Sequence, residues 1–170
     1  MPAGNTMSTP LNPYQGFLGN RNPQEVIAAT PDRLGIIVQQ IGPDGYERSY
    51  APGKWSARQI LCHLAYCEIA FAFRLRQALA EEHHMIQPFD QELWARHYGA
   101  LEAQQALSTF SGLRRWNLAF LQTLSPADYA KKVSHPERGE MTFQTIMETM
   151  AGHDLNHLGQ LQTIAAPPRA

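Results

Sequence analysis

Only two cysteines occur in the 170 residues, Cys62 and Cys67, too few for a disulfide-stapled secreted scaffold. Five apart on a helix, they point about 140° away from each other, so the expectation is two free thiols in a reducing cytoplasm. Neither sign of charge predominates. The 14 basic and 15 acidic residues leave a formal net charge of -1, with no basic stripe for nucleic acid and no polybasic anchor for a membrane. No apolar run is long enough to cross a bilayer, and the opening MPAGNTMSTPLNP has neither the basic start nor the apolar stretch of a signal peptide. Internal repeats and low-complexity tracts are also absent. What remains is small-molecule chemistry or protein contact. A hydrophobic content of 44% fills one core, and no shift in composition marks a second. The expectation is a single domain over 1–170, with residues 1–20 as an N-terminal arm.

Proline and glycine divide the chain into helical stretches. Thr30-Pro31 reads as a cap followed by proline at the first helical position, opening a helix that runs to Ile41 and stops at Gly42-Pro43. Trp55-Ser56 leads into the longest apolar segment, where Ser56 and Gln59 have the spacing of a capping box; this helix is expected to reach Glu82. A short helix over 91–97 precedes a long one over 101–124. After Ser125-Pro126, the turn-rich KKVSHPERGEM suggests a small hairpin, and Thr142 caps a last helix that runs to Ala165 before Pro167-Pro168. The fold class is all-α: an up-and-down four-helix bundle with short extra helices and a small hairpin before the last helix, its order of connections left open.

The last helix contains HDLNH, two histidines four apart. The zinc protease motif H-E-x-x-H has this spacing, but Asp154 stands where the general-base glutamate would be. Downstream of His157 lies only LGQLQTIAAPPRA, without His, Asp, Glu or Cys, so the downstream third ligand of such proteases is missing. The expectation is therefore not a zinc protease. His157 falls inside the apolar stripe of Phe143, Ile146, Met147, Met150, Leu161 and Ile164, with His153 at its edge one turn earlier. Buried imidazoles need partners, either each other, as a hydrogen-bonded core pair, or a metal with a third ligand from upstream. His83 and His84 sit in a polar helix end, while His97 and His135 lie beside turns. His63 flanks the stripe of Ile60, Leu64, Cys67 and Phe71, where it could face the pair.

Three features together, W-S-x-x-x-I-L-x-H-L in WSARQILCHL, an arginine in the third long helix and H-D-x-x-H-x-x-Q in HDLNHLGQ, resemble the DinB-like metalloprotein superfamily. The likeness spans about Pro10 to Ala165. It implies a helical bundle whose ligands to one divalent metal are His63, His153 and His157. It also implies a metal-dependent thiol transferase or isomerase, in which the metal activates a low-molecular-weight thiol such as bacillithiol, mycothiol or glutathione.

Around those ligands, Arg114 falls on the apolar sector of its helix and Asp154 within the stripe of the last. Each therefore needs a partner, and an ion pair between them is one solution. Gln160 is placed to orient a ligand ring or to face solvent. Trp55, Trp94 and Trp116 read as packing residues, and the two cysteines as core thiols. The second long helix is apolar nearly all round, with Cys62, Ile69 and Phe73 opposite its main stripe, which suggests a homodimer interface. The function expected is a metal-dependent thiol transferase with Zn, Ni, Fe or Co, a thiol cosubstrate and a small-molecule electrophile. The alternatives are a metal-assisted hydrolase and a non-catalytic metal-binding dimeric scaffold.

Overall fold

The computed structural model describes residues 10–166. Seven helices and one hairpin follow in the order α1 (Gln15–Leu18), α2 (Pro23–Ile41), α3 (Ala57–Ala80), α4 (Gln91–Ala95), α5 (Ala103–Leu121), α6 (Pro126–Tyr129), β1 (Lys132–His135), β2 (Gly139–Thr142) and α7 (Phe143–Ala165). Short 3-10 turns at Pro43–Gly45 and Tyr98–Ala100 link the longer pieces. The four long helices α2, α3, α5 and α7 form the bundle, and the hairpin before the last helix stands where the turn chemistry puts it.

Two apolar clusters reveal the directions of the helices. One joins Leu34–Ile41 of α2, Ala57–Ala65 of α3, Ala103–Phe110 of α5 and Leu158–Ile164 of α7. The other joins Val26 and Ile27, Cys67–Ala78, Leu121 and Phe143–Ala151. Thus α2 and α7 run one way, while α3 and α5 run the other. Between these halves lies a layer of buried polar side chains: His63, Glu68, Arg114, Asn117, His153, Asp154 and His157. It is the site-bearing plane of the molecule.

Local signals explain most helix ends. Ser56 and Gln59 form the expected capping box on α3, and Thr142 caps α7 through Thr145 N. α2 starts earlier than Thr30-Pro31 suggests. Asn22 is its cap, accepting from Gln24 N at 2.9 Å and Glu25 N at 3.4 Å, with Pro23 at the first position. Two Xaa-Pro pairs compete here, and the first wins. Thr30 instead bonds back to Val26 O at 2.8 Å, and Pro31 lies inside the helix. A residue there would normally donate to Ile27 O, but proline has no N–H to give. That carbonyl takes a bond from the Arg114 guanidinium at 3.0 Å instead. α3 ends at Ala80, two residues before the expected Glu82, and α5 is confined to Ala103–Leu121.

The N-terminal arm also needs correction. Residues 1–9 lie outside the described residues, but α1 packs on α7 with Leu18 buried. Gly152 permits the approach: a Cβ there would lie 2.6 Å from both the Cβ and the backbone oxygen of Tyr14. Part of the supposed arm therefore becomes a wall of the site.

Candidate metal centre

Packing α3 against α7 brings His63, His153 and His157 together. Their ring centroids stand 5.0 Å apart for His63 and His153, 4.7 Å for His63 and His157, and 4.5 Å for His153 and His157. All three residues are buried. The Nε2 atoms of His63 and His153 approach to 2.9 Å. Of the other histidines, His84 pairs with Glu81 at 2.6 Å, His83 and His97 are exposed, and His135 is buried in the hairpin.

Burial sets the charge of these rings. It holds the His63 pKa down at about 3, with His157 adding to the effect. The His153 pKa also lies well below the ordinary histidine value, through burial first and then its neighbours His157, His63 and Arg114. Burial lowers His157 too, although Gln160 and Asp154 oppose the shift. The rings are neutral at physiological pH, as metal ligands must be. Gln160 Oε1 accepts from His157 Nδ1 at 2.8 Å, which puts the proton on Nδ1 and leaves Nε2 as a lone pair. His63 Nδ1 lies 3.4 Å from the Tyr98 hydroxyl.

Cys67, one helical turn after His63, places its Sγ 3.4 Å from His63 Nε2. Possible ligand atoms of His63, Cys67 and His153 all lie within 4.8 Å of one another. Read as a plain core thiol from the sequence, Cys67 is part of the centre; its i,i+4 spacing from His63 was the available signal. Burial pushes its pKa up to about 12, so it is a protonated thiol without a metal. Trp55 is more than a packing residue: it stacks on His157 at 6.5 Å with an 18° interplanar angle and tilts over His63 at 4.8 Å. Tyr14 meets His153 edge-on at 5.2 Å.

Arg114 and Asp154 do pair, at 2.6 Å, and Glu68, not among the residues expected at the site, binds the same guanidinium at 2.7 and 2.9 Å. Its signal was an acid in the middle of the apolar row Leu64, Glu68, Phe71, Leu75 on α3. With Ile27 O and a second bond to Asp154 at 3.2 Å, Arg114 has partners for all of its donors. Asn117 adds a bond to Glu68 at 2.7 Å. Burial would lower the Arg114 pKa, but Asp154 and Glu68 outweigh it and hold the group cationic. Asp154 therefore turns from the histidines toward Arg114, as the divergence of successive helix positions predicts.

Two cavities open onto the histidines. One, of about 200 Å³, reaches Cys67 and His153; the other, of about 330 Å³, reaches Trp55, His157 and Gln160. Tyr14 and Gln91 line both. Among the described residues no helix is long and apolar enough to cross a membrane.

This architecture has known counterparts. A protein of Oceanobacillus iheyensis, named as a candidate metal-dependent hydrolase, is 30% identical over 79% of this chain and 78% of its own length. A similarly named protein of Geobacillus kaustophilus is 28% identical over 83% of each chain. The structure of YfiT from Bacillus subtilis, described as a probable metal-dependent hydrolase with an unusual four-helix bundle topology, superposes with a TM-score of 0.77 at 21% identity. It covers 84% of this chain and 83% of YfiT. Residues 27–161, which carry all three histidines and the Arg114 cluster, match the DinB superfamily, and the chain belongs to that family.

Proposed function

We propose that this protein is a metal-dependent enzyme in which His63, His153 and His157 hold one divalent ion and a low-molecular-weight thiol is transferred to an electrophile. The observation that carries the reading is the meeting of three neutral, buried imidazoles, two of them with Nε2 atoms 2.9 Å apart. One N–H between them satisfies a single pair and leaves the third ring out, whereas an ion satisfies all three. The donor set, three imidazoles beside one thiol, suits Zn, Ni, Fe or Co. Such an ion, when bound, supplies the Lewis acidity that makes a thiol or water nucleophilic at neutral pH.

The chain's own residues do the rest. Gln160 fixes the tautomer of His157, Trp55 and Tyr14 cover the rings against bulk water, and Asp154 is held by Arg114. Two cavities meeting at the rings support a two-substrate reaction, with the thiol in one and the electrophile in the other. Water as nucleophile gives the second reading, a hydrolase, favoured by the names of the relatives. Cys67 favours the third, a non-catalytic scaffold, because its thiolate would close the coordination sphere. Two buried free thiols fit a cytoplasmic setting. Exposed Ile69 and Phe73 on α3 support a homodimer, an expectation that a monomer by light scattering at micromolar concentration removes.

The test is metal analysis of protein from its own host, followed by turnover of electrophiles with several thiols and with water alone. His157→Ala should lose the metal and the turnover together. Full activity in the metal-free variant overturns the metal reading. Turnover with water alone selects the hydrolase, and full occupancy without any turnover selects the scaffold.

A further inference from the structure

The smaller cavity beside His153 has a feature the histidines do not explain. Arg74 of α3 and Arg138 of the hairpin turn both line it, and among the described residues neither forms an ion pair. Arg74 Nη2 donates to Gln87 O at 3.0 Å, and its guanidinium lies 5.4 Å from the Phe89 ring centre. The Arg138 Nε is buried without a partner. The two cations are near enough that Arg138 adds to the lowering of the Arg74 pKa that burial begins. The fully buried Arg114, by contrast, is matched by two carboxylates. Two half-buried guanidinium groups left facing one cavity are costly unless an anion completes them.

The other polar groups agree. His135 Nδ1 accepts from Glu137 N at 3.2 Å, so the proton of the neutral ring sits on Nε2 as a donor. Tyr14 also lines the cavity and brings a hydroxyl group. Glu137 is the one acid in the lining; it is exposed on the turn.

We infer that this cavity is an anion subsite that takes the carboxylate of a compact organic acid between Arg74 and Arg138 and so places the rest of that substrate beside His153. Guanidinium groups bind carboxylates through paired, charge-assisted hydrogen bonds. A space of about 200 Å³ limits the guest to a small molecule. The hairpin then has a use: it carries Arg138 and His135 to the rim of the centre. The inference deepens the proposed enzyme by naming its substrate class, but the anion site itself requires no metal.

Titration of the metal-free protein with succinate, followed by amide and arginine Nε–H chemical shifts, tests it. Succinate should move the Arg74, Arg138 and His135 signals in a saturable, salt-sensitive way. Arg138→Gln and Arg74→Gln should each weaken binding at least about tenfold, a loss of roughly 1.4 kcal/mol, while the exposed Arg115→Gln leaves it unchanged. The same spectra report whether each variant is folded, and Arg138→Lys, which keeps the charge, should recover part of the affinity. Unsaturable shifts, or equal affinity in wild type and both glutamine variants, overturn the inference. Inorganic phosphate binding more tightly than succinate overturns the carboxylate assignment. Cobalt binding, measured separately, reports on the metal reading, so the two can fail independently.

Discussion

Two buried polar clusters share α3 and α7, and only one of them is charged, with every ion in it paired. In the first, Arg114 has a partner for every donor, in Glu68, Asp154 and Ile27 O. In the second, His63, His153 and His157 pack as neutral rings with centroids 4.5 to 5.0 Å apart, and the Nε2 atoms of the first two approach to 2.9 Å. Consecutive residues, His153 and Asp154, belong to different clusters. A charged network whose donors and acceptors match holds a bundle together without calling for anything from outside, whereas neutral imidazoles packed ring against ring gather the kind of nitrogen donors that suit a shared cation. Burial alone does not distinguish function from architecture; whether opposite charges are matched within the cluster helps to do so.

The largest effect should come from breaking the charged cluster. Arg114→Met leaves Glu68 and Asp154 buried without their cation, and should cost about 3 to 5 kcal/mol in urea unfolding. A loss under 1 kcal/mol would place the ion cluster among dispensable surface pairs. Next comes acid. His63 is held at about 3 in the folded chain against roughly 6.5 unfolded, so below that value the unfolded chain binds a proton that the folded chain does not. Stability is therefore lost as pH falls from 6.5 toward 3. At pH 5 the loss is about 2 kcal/mol for this ring, with His153 and His157 acting in the same direction. Urea midpoints at pH 7.5 and pH 5 in the presence of a chelator check it; a flat profile would mean the rings are not held neutral. The smallest effect sharpens the contrast. Gln160→Ala should leave stability nearly unchanged yet weaken cobalt affinity about tenfold, because the amide sets the His157 tautomer. Unchanged affinity would reduce Gln160 to a solvated neighbour.

Sequence legibility differed between these regions for physical reasons. α3 and α7 were readable because their caps are local and their apolar stripes are long. The N-terminus of α2 was not, since Asn22-Pro23 and Thr30-Pro31 are equally good local signals and only tertiary packing decides that Pro31 sits inside. Periodicity allowed His63 to face the α7 pair, with a hydrogen-bonded histidine pair as the alternative, and the family resemblance named the three together. Glu68 and Tyr14 escaped because the first was hidden in an apolar row, while the second reaches the site through Gly152, where contact depends on a missing side chain rather than a present one. The parallel run of α3 and α5 also leaves no local trace, because it is decided by the long connection through α4.

Pro31 has a consequence for how the bundle assembles. By withholding a backbone donor it frees Ile27 O of α2 for a guanidinium that belongs to α5 and also binds Glu68 of α3 and Asp154 of α7. A single side chain thus requires four helices at once. Any partly docked arrangement of three must either leave that cation in water, with the centre of the core open, or bury it with groups unmatched. Half-built states are penalised from both sides, so the four helices should gain their native packing in one concerted step.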